Sequence, residues 1–348
     1  MVNSLSLVPV LPNHRFDEAA LVRYLRGRLP GFDGEVVVRQ FQGGQSNPTF
    51  HVQAGDHAYV LRKKPSGKLL PSAHAIDREF AVMKALAGTA VPVPTMHLLC
   101  DDESVIGQMF FVMDHIPGRV FNIRTLPGME PAERTAIYDA AVRTIAALHS
   151  VDYRAAGLAD YGRADGYAAR QLSRWSKQYQ ASKVEENPAM DRVIDWLGKH
   201  LPTKERVSIV HGDSGLHNMI FHPTEPRVVA LIDWELSTIG HPLADVGYFC
   251  VGYHLPPGDP RGLCDVDYRA LGIPDEAAVT AAYSRYTGQP VEDWSFFLLF
   301  SMFRTAAIRA GILKRAMDGN AADPNAMEIG QRYRALAEII WSMAQQLP

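Results

Sequence analysis

Cysteine is scarce in this chain of 348 residues: the three present, Cys100, Cys250 and Cys264, are odd in number and far apart. That argues against a disulfide framework or a four-ligand zinc site, and predicts reduced thiols in a cytoplasm. Charge of one sign is also missing. A net charge of -3 leaves no broad basic field, so neither nucleic acid nor a membrane surface is an expected partner. The N-terminus lacks the basic start and long apolar core of a secretory signal. The most apolar window, 294–303, meets Arg304 after ten residues and is too short to span a bilayer. No repeat or low-complexity tail is visible. With 47% hydrophobic and 21% charged residues, the composition is that of a soluble globular protein handling small molecules, and the length favours two lobes.

Two catalytic patterns are absent as well. No Gly-Lys-Ser/Thr ending follows the glycine-rich stretch at 43–48, which excludes a P-loop. No His-x-His pair or His-Glu-x-x-His helix is present to hold zinc. A metal-dependent hydrolase built on His211, His217, His222 and Asp233 is therefore disfavoured, and these histidines read as loop braces or surface groups.

What is present concentrates in His211-Gly212-Asp213-Ser214-Gly215-Leu216-His217-Asn218. Strands at 219–222 and 228–232 follow, joined by a turn at 223–226, and then Asp233-Trp234-Glu235. An Asp and an Asn five positions apart on a loop, with a second Asp after a hairpin, supply a proton acceptor and two oxygen ligands for magnesium. Asn218 and Asp233 are the candidate ligands, which leaves Asp213 to orient a hydroxyl and take its proton. Protein kinases keep the same Asp-to-Asn interval. Asp and Asn beside Gly are also common turn formers.

Upstream, residues 1–16 read as irregular, and Asp17 caps a helix carrying Leu21, Val22 and Leu25 that ends at Pro30-Gly31. A strand at 35–41 runs into Gly43, Gly44, Gln45, Ser46 and Asn47, and a strand at 49–53 follows. Strand, glycine-rich turn, strand is the lid with which kinases lay backbone amides over nucleotide phosphates; the same residues also make plain hairpins. A third strand at 57–63 alternates faces, so Val60 and Arg62 share one, an apolar cover for a base and a cation for the phosphates. Alternatively Arg62 is a solvated member of the Arg-Lys-Lys run. A helix at 74–87 buries Ile76, Phe80, Met83 and Leu86, with Glu79 beside that stripe either to pair with Arg62 or to stay on the surface. Strands at 96–100 and 109–113 lead to the lobe boundary. There, in a kinase reading, Met113 guards the pocket and the main chain of Asp114, His115 and Ile116 meets the adenine edge.

Beyond the boundary the character changes to helix. Pro131 opens a helix to 149 with Ala140, Ile145 and Leu148 among its buried candidates. Helices at 166–182 and 188–200 carry Trp175, Tyr179, Val193 and Trp196, which read as core. Gly240-His241-Pro242 with Asp245 turns into an apolar helix, and 275–287, 293–317 and 324–346 read as helical.

In this order the pieces resemble the aminoglycoside phosphotransferase family, the small-molecule branch of the kinase-like fold that includes choline and homoserine kinases. The resemblance covers about residues 35–250 and rests on His211-Gly212-Asp213 with Asn218, on Ile232-Asp233-Trp234-Glu235, and on Gly240-His241-Pro242 with Asp245. It implies an α+β, bilobal protein-kinase-like fold. A small N-terminal antiparallel sheet lobe at 1–113 and a hinge at 114–118 precede a larger, mainly helical C-terminal lobe at 119–348. It also implies Asp213 as the catalytic base, Asn218 and Asp233 as Mg2+ ligands, His211 and Asp245 as supporting residues, and ATP (or GTP) as the nucleotide. The glycine-rich loop, the Leu-Arg-Lys-Lys-Pro strand and the segment at 67–74 are most similar to the kinase-like domain fused to certain acyl-CoA dehydrogenases, which implies a hydroxyl on a hydroxyacyl-CoA as acceptor.

Three departures from protein kinases carry information. Gly212 replaces the Arg that would hold an activation-loop phosphate. About a dozen residues separate Asp233 from the next helix, with no Ala-Pro-Glu ending to seat a peptide. Arg62 stands where Lys is usual. The expectation is an ATP- and Mg-dependent kinase acting on a small-molecule hydroxyl. Its competitors are a nucleotide-binding pseudokinase, disfavoured by the complete Asp213, Asn218, Asp233 set, and an aminoglycoside-type antibiotic kinase, disfavoured by the lack of an acidic run near the C-terminus. Arg304, Arg309, Lys314 and Arg315 either greet an anionic acceptor or form a solvated helix face, the latter being the expected reading.

Overall fold

The computed structural model describes residues 6–42, 47–65, 75–321 and 323–347; Gly43, Gly44, Gln45 and Ser46 lie outside that set, as does the segment at 67–74. The chain forms two compact units interleaved in sequence, one of residues 1–121, 154–161 and 217–237, the other of 122–153, 162–216 and 238–348. The first unit thus takes in the 217–237 hairpin, which a simple division at 114–118 assigns to the second. Backbone bonds explain why: Arg119 and Phe221 exchange amide-to-carbonyl bonds of 2.8 Å, and the Leu231 amide donates to the Pro92 carbonyl at 2.8 Å.

In the first unit β1 (Leu7–Val8), β2 (Val36–Phe41), β3 (Thr49–Ala54), β4 (His57–Lys63), β5 (Met96–Cys100) and β6 (Phe110–Asp114) make one antiparallel sheet in the order β1-β2-β3-β4-β6-β5. Alternation sorts its side chains. Val38, Phe50, Val52, Tyr59, Leu61, Phe110 and Val112 share a core with Leu21 and Leu25 of α1 (Glu18–Leu25), whose N-cap is Asp17, accepting from the Ala20 amide at 2.9 Å. Lys63 falls on the same side and is buried, its ammonium 5.9 Å from the Phe16 ring centroid. The opposite set pairs Val60 with Met113 and Arg62 with Phe111. The helix α2 (Ile76–Leu86) buries Ile76, Glu79, Val82, Met83 and Leu86. Phe80, expected in that stripe, is half-buried against Phe111, while Glu79 and Val82 take buried positions. Residues 1–16 are not wholly irregular: β1 pairs with β2, and Pro12–His14 forms a 3-10 turn.

The second unit is helical: α3 (Pro131–His149), α4 (Tyr167–Ser182), α5 (Pro188–Lys199), α6 (Leu243–Cys250), α7 (Glu276–Thr287), α8 (Trp294–Met317), α9 (Ala326–Gln331) and α10 (Tyr333–Ala344). A short antiparallel pair, Ser208–Val210 with Thr238–Gly240, was not legible in the sequence. The core helix α8 packs against α4, α6, α9 and α10. It spans nearly the whole of the expected 293–317, and its apolar stretch continues past Arg304. At 24 residues it is long and apolar enough to cross a membrane, and 83% of its most apolar window is buried inside the protein. The solvated-face expectation fails for two of its cations: Arg304 and Arg309 are buried, and Arg309 pairs with Asp259 at 2.7 Å. Lys314, paired with Asp318 at 2.6 Å, and Arg315 fit the expectation better. The single helix expected at 324–346 is two. Gly330 lies so close to α8 that a Cβ would stand 2.6 Å from the Leu313 backbone, and the chain turns at Arg332, which reaches Glu328 and Asp259.

α6 meets α8 through Gly247, where a Cβ would lie 2.6 Å from the Phe297 carbonyl oxygen. Gly247→Ala is expected to lower stability by about 1–3 kcal/mol, the usual cost of overpacking, read as a lower urea midpoint; an unchanged midpoint would mean that α6 can slide away freely.

Candidate active site

In the first unit the alternation of β4 turns Arg62 towards acid groups from two other elements. Its Nε lies 3.1 Å from a Glu79 oxygen, and its Nη2 lies 2.9 Å from Asp233 and 3.8 Å from Glu235. The solvated reading of Arg62 therefore fails and the pairing with Glu79 stands. Glu79, 1% exposed, also accepts from Asn47 Nδ2 at 2.9 Å. Burial pushes the Glu79 carboxyl up to about 7. Arg62 pulls it down, but Asp233 and Glu235 push the same way as burial, since one guanidinium is shared among three carboxylates.

The hairpin of Met219–Phe221 and Val228–Leu231 sets the other acid. The Ile232 amide donates to the Asn218 carbonyl at 2.9 Å, so the hairpin closes with Asn218 at one end and Asp233 just past the other. Asp233 has a left-handed backbone, φ 65° and ψ 62°, an unusual conformation for a non-glycine residue. It is held by the turn Trp234–Leu236, in which the buried Trp234 donates Nε1–H to the Leu231 carbonyl at 2.9 Å. Among the described residues no group of three His, Cys, Asp or Glu converges on a metal position. An amide oxygen, a carboxylate and surplus negative charge nonetheless fit magnesium, which takes few protein oxygens and fills its shell with phosphate and water.

The rest of this face is apolar and aromatic. Val60 and Met113 are buried side by side, with the His115 ring 4.7 Å from that of His51 and stacked on Phe41. The Asp114 amide donates to the Thr95 carbonyl and the His115 amide to that of Ala58. The Asp114 carboxylate meets His97 Nε2 at 2.6 Å.

In the second unit the strand Ser208–Val210 delivers the loop that follows to the N-terminal turn of α6. Asp245 is 0% exposed, and its two carboxylate oxygens accept the amides of His211 at 2.7 Å and Gly212 at 2.8 Å. His149 Nε2 lies 3.1 Å away, and Ser214 Oγ donates to the Asp245 carbonyl at 2.9 Å. Burial alone would raise the Asp245 pKa, but the His149 bond and charge, with the His211 amide, hold it below the ordinary carboxylate range. Gly212 has φ +82°, so this position needs glycine for its backbone as well as lacking a phosphate-binding arginine. The Asp213 amide donates to His211 Nδ1 at 3.2 Å and its carbonyl accepts from Gly215 at 2.8 Å. Its backbone is thus pinned while its side chain stays partly exposed. His211 and His222 are braces, His222 Nδ1 accepting the Glu225 amide at 3.2 Å, and so is His241, which stacks on Phe297 and accepts from Leu243. Burial drops the His241 pKa to about 3, so it is neutral. Tyr248, not picked out in the sequence, has its hydroxyl pKa raised by burial and by the nearby charge of Asp213.

The model of the phosphotransferase enzyme family designated APH matches residues 37–292. The chain belongs to this family. A Ralstonia eutropha crystal structure, provisionally described as an aminoglycoside phosphotransferase, is 51% identical with a TM-score of 0.87, covering 95% of this chain and 99% of that one. Acyl-CoA dehydrogenase family member 10 of Mus musculus is 45% identical over 340 residues; the match covers 97% of this chain, which spans only 32% of that protein. The aminoglycoside phosphotransferase APH(4)-Ia, solved as a thermostable mutant in ternary complex with ADP and hygromycin B, shares the fold at a TM-score of 0.60 and 16% identity, covering 93% of this chain and 98% of that one. This phosphotransferase therefore has the kinase-like architecture of an antiparallel sheet lobe and a helical lobe.

Two outcomes follow from these charges. Glu79 binds its proton more tightly folded than unfolded, so the stability it contributes is fully present below 4.5 and is lost as pH rises through about 7. Urea midpoints of the metal- and nucleotide-free protein should carry this decline, and Glu79→Gln should flatten it; identical profiles would contradict the assignment. Asp245→Ala, which strands the groups around a buried charge, should cost about 3–5 kcal/mol in the same measurement.

Proposed function

We propose that this phosphotransferase moves the γ-phosphoryl group of magnesium-ATP (or GTP) to a hydroxyl of a small metabolite, with a hydroxyacyl-CoA as the favoured acceptor. The observation that carries the reading is Asp213: a partly exposed carboxylate on a loop whose backbone is fixed by the buried Asp245. A base must be held still and remain reachable, and this one is both. Asp213 takes the acceptor hydroxyl's proton as that oxygen bonds to the γ-phosphorus. The bond from the γ-phosphorus to the bridging oxygen breaks, and ADP leaves with a phosphate ester as product.

Arg62, kept in place by Glu79, pairs with the α- and β-phosphates, and Asn218 and Asp233 hold the metal. Magnesium, when bound, neutralises the phosphates so that the acceptor oxygen can approach. Val60 and Met113 cover the base. Of the three boundary residues, Ile116 offers the amide for the base edge, because those of Asp114 and His115 are engaged within the sheet. The ADP in APH(4)-Ia supports a nucleotide at a site of this kind, and its hygromycin B supports a small-molecule acceptor. The acyl-CoA class is favoured because relatives 44–45% identical over nearly the whole chain are named acyl-CoA dehydrogenases.

The test is ADP release from magnesium-ATP across hydroxyacyl-CoAs, amino alcohols, sugars and aminoglycosides. A hydroxyacyl-CoA should give acceptor-dependent turnover, and Asp213→Ala should lower it about 10²- to 10⁴-fold. No acceptor-dependent ADP release, or full activity in Asp213→Ala, would defeat the reading; turnover with an aminoglycoside alone would move it to the antibiotic class.

A further inference from the structure

Arg62 in the first unit is one cation among three carboxylates; in the second unit the proportion is reversed. Arg309 on α8, 7% exposed, lies 2.7 Å through Nη2 from the Asp259 carboxylate, and its Nη1 is buried with no hydrogen-bond partner among the described residues. Asp259 does not serve Arg309 alone. The oxygen that meets Arg309 also stands 3.7 Å from Nη1 of Arg332, at the turn between α9 and α10, and the other oxygen accepts the Arg261 amide at 3.0 Å. Burial lowers the Arg309 pKa and Asp259 raises it, while the charges of Arg261 and Arg332 lower it again. Three arginines therefore gather around one buried carboxylate.

The three differ in access. Arg309 forms the floor, the Arg332 side chain is 23% exposed, and Arg261 is exposed. Glu328 pairs with Arg332 at 2.6 Å but is 69% exposed, where an ion pair contributes little. Asp265, the next acid along the loop of Asp259, accepts the Gly258 amide. A cation withheld from water and short of acceptors is stabilised by an incoming anion, and guanidinium forks match phosphate oxygens in geometry as well as in charge. Distance from the catalytic loop sets the shape of the ligand. Ser301 Oγ on α8 donates at 3.3 Å to the carbonyl of Ala244, the neighbour of Asp245, and Arg309 follows eight residues later, about 12 Å along the helix. An acceptor whose hydroxyl reaches Asp213 must be elongated to place an anion at Arg309.

We propose that Arg261 and Arg332, set over the buried Arg309, bind the phosphate groups of an elongated acceptor, those of coenzyme A in a hydroxyacyl-CoA. The proposal rests on the acceptor class favoured above and adds where its anionic end is held. A single sugar or an amino alcohol is too short to bridge the two places, and the polycation of an aminoglycoside is repelled by the arginines. The surplus is local, since the chain as a whole carries a net charge of -3, so the site selects an anion by position and not through a broad basic field.

The probe is coenzyme A itself, titrated by calorimetry into the protein with magnesium-AMP-PNP already filling the nucleotide site, so that the adenosine phosphates of the probe are not read there. Pantetheine, which lacks the phosphates, is the control. Coenzyme A should bind at least about tenfold more tightly, and Arg261→Gln and Arg332→Gln should each weaken it about tenfold, the share of one charge-assisted hydrogen bond, without changing pantetheine. Arg261→Gln should also keep the wild-type urea midpoint, which separates a lost ligand contact from a damaged fold. Equal binding of coenzyme A and pantetheine overturns the proposal, as does an affinity for coenzyme A that is unchanged in both variants or falls only where the midpoint falls too. The measurement needs no turnover. Should coenzyme A bind through these arginines while Asp213-dependent ADP release is absent, the site stands and the phosphotransfer reading fails; should a sugar or an amino alcohol turn over through Asp213 while coenzyme A does not bind, phosphotransfer stands and the site fails.

Discussion

A carboxylate sealed from water must be fully satisfied or it destabilises the fold, and in the second unit that demand organises the loop that carries Asp213. Asp245 meets it with two consecutive backbone amides and a histidine, while its own carbonyl receives Ser214. Accepting two adjacent amides dictates the path of the chain, and the left-handed Gly212 is the local consequence. Asp213 is then the first residue whose side chain can leave the grip. The loop's shape is therefore a product of α6, and α6 in turn is placed by its close approach to α8 at Gly247.

The first unit solves the opposite problem. Where Asp245 has every donor it needs, Arg62 has more acceptors than one cation can neutralise. The cost appears on Glu79, the most buried of the three, whose carboxyl is raised to about 7. An arginine suits this arrangement better than a lysine: its planar fork reaches Glu79 through Nε and Asp233 and Glu235 through Nη2, where a single ammonium would have to choose. The excess of negative charge also gives a physical reason for a cation to bind beside Asp233.

Much of this was legible in the sequence where local rules are strong. Asp17 as a cap, Pro131 as a helix start, the alternation through 57–63 and the strand at 96–100 agree with what is observed, although the first helix ends at Leu25, short of Pro30-Gly31. The order of Arg62, Glu79, Asp213, Asn218, Asp233 and Asp245 carried the family, because that chemistry needs those types at those intervals. What escaped depends on partners distant in sequence. Strands of two or three residues at 7–8, 208–210 and 238–240 are too short to display a period. The burial of Arg309 is unreadable without Asp259, which lies 50 positions earlier. Tyr248, within Ala-Asp-Val-Gly-Tyr-Phe-Cys, looks like any aromatic of an apolar helix.

The same contrast bears on how such a fold can serve different acceptors. In a kinase held by a phosphorylated activation segment, the element that orders the catalytic loop also shapes the substrate platform, so the two are hard to change separately. Here the 211–214 loop is ordered from behind, by a buried carboxylate on α6. Substitutions that reshape an acceptor wall need not disturb that carboxylate, provided that the contact between α6 and α8 keeps its register. The residues exempt from this freedom are those with a partner on the loop itself, Asp245 first among them.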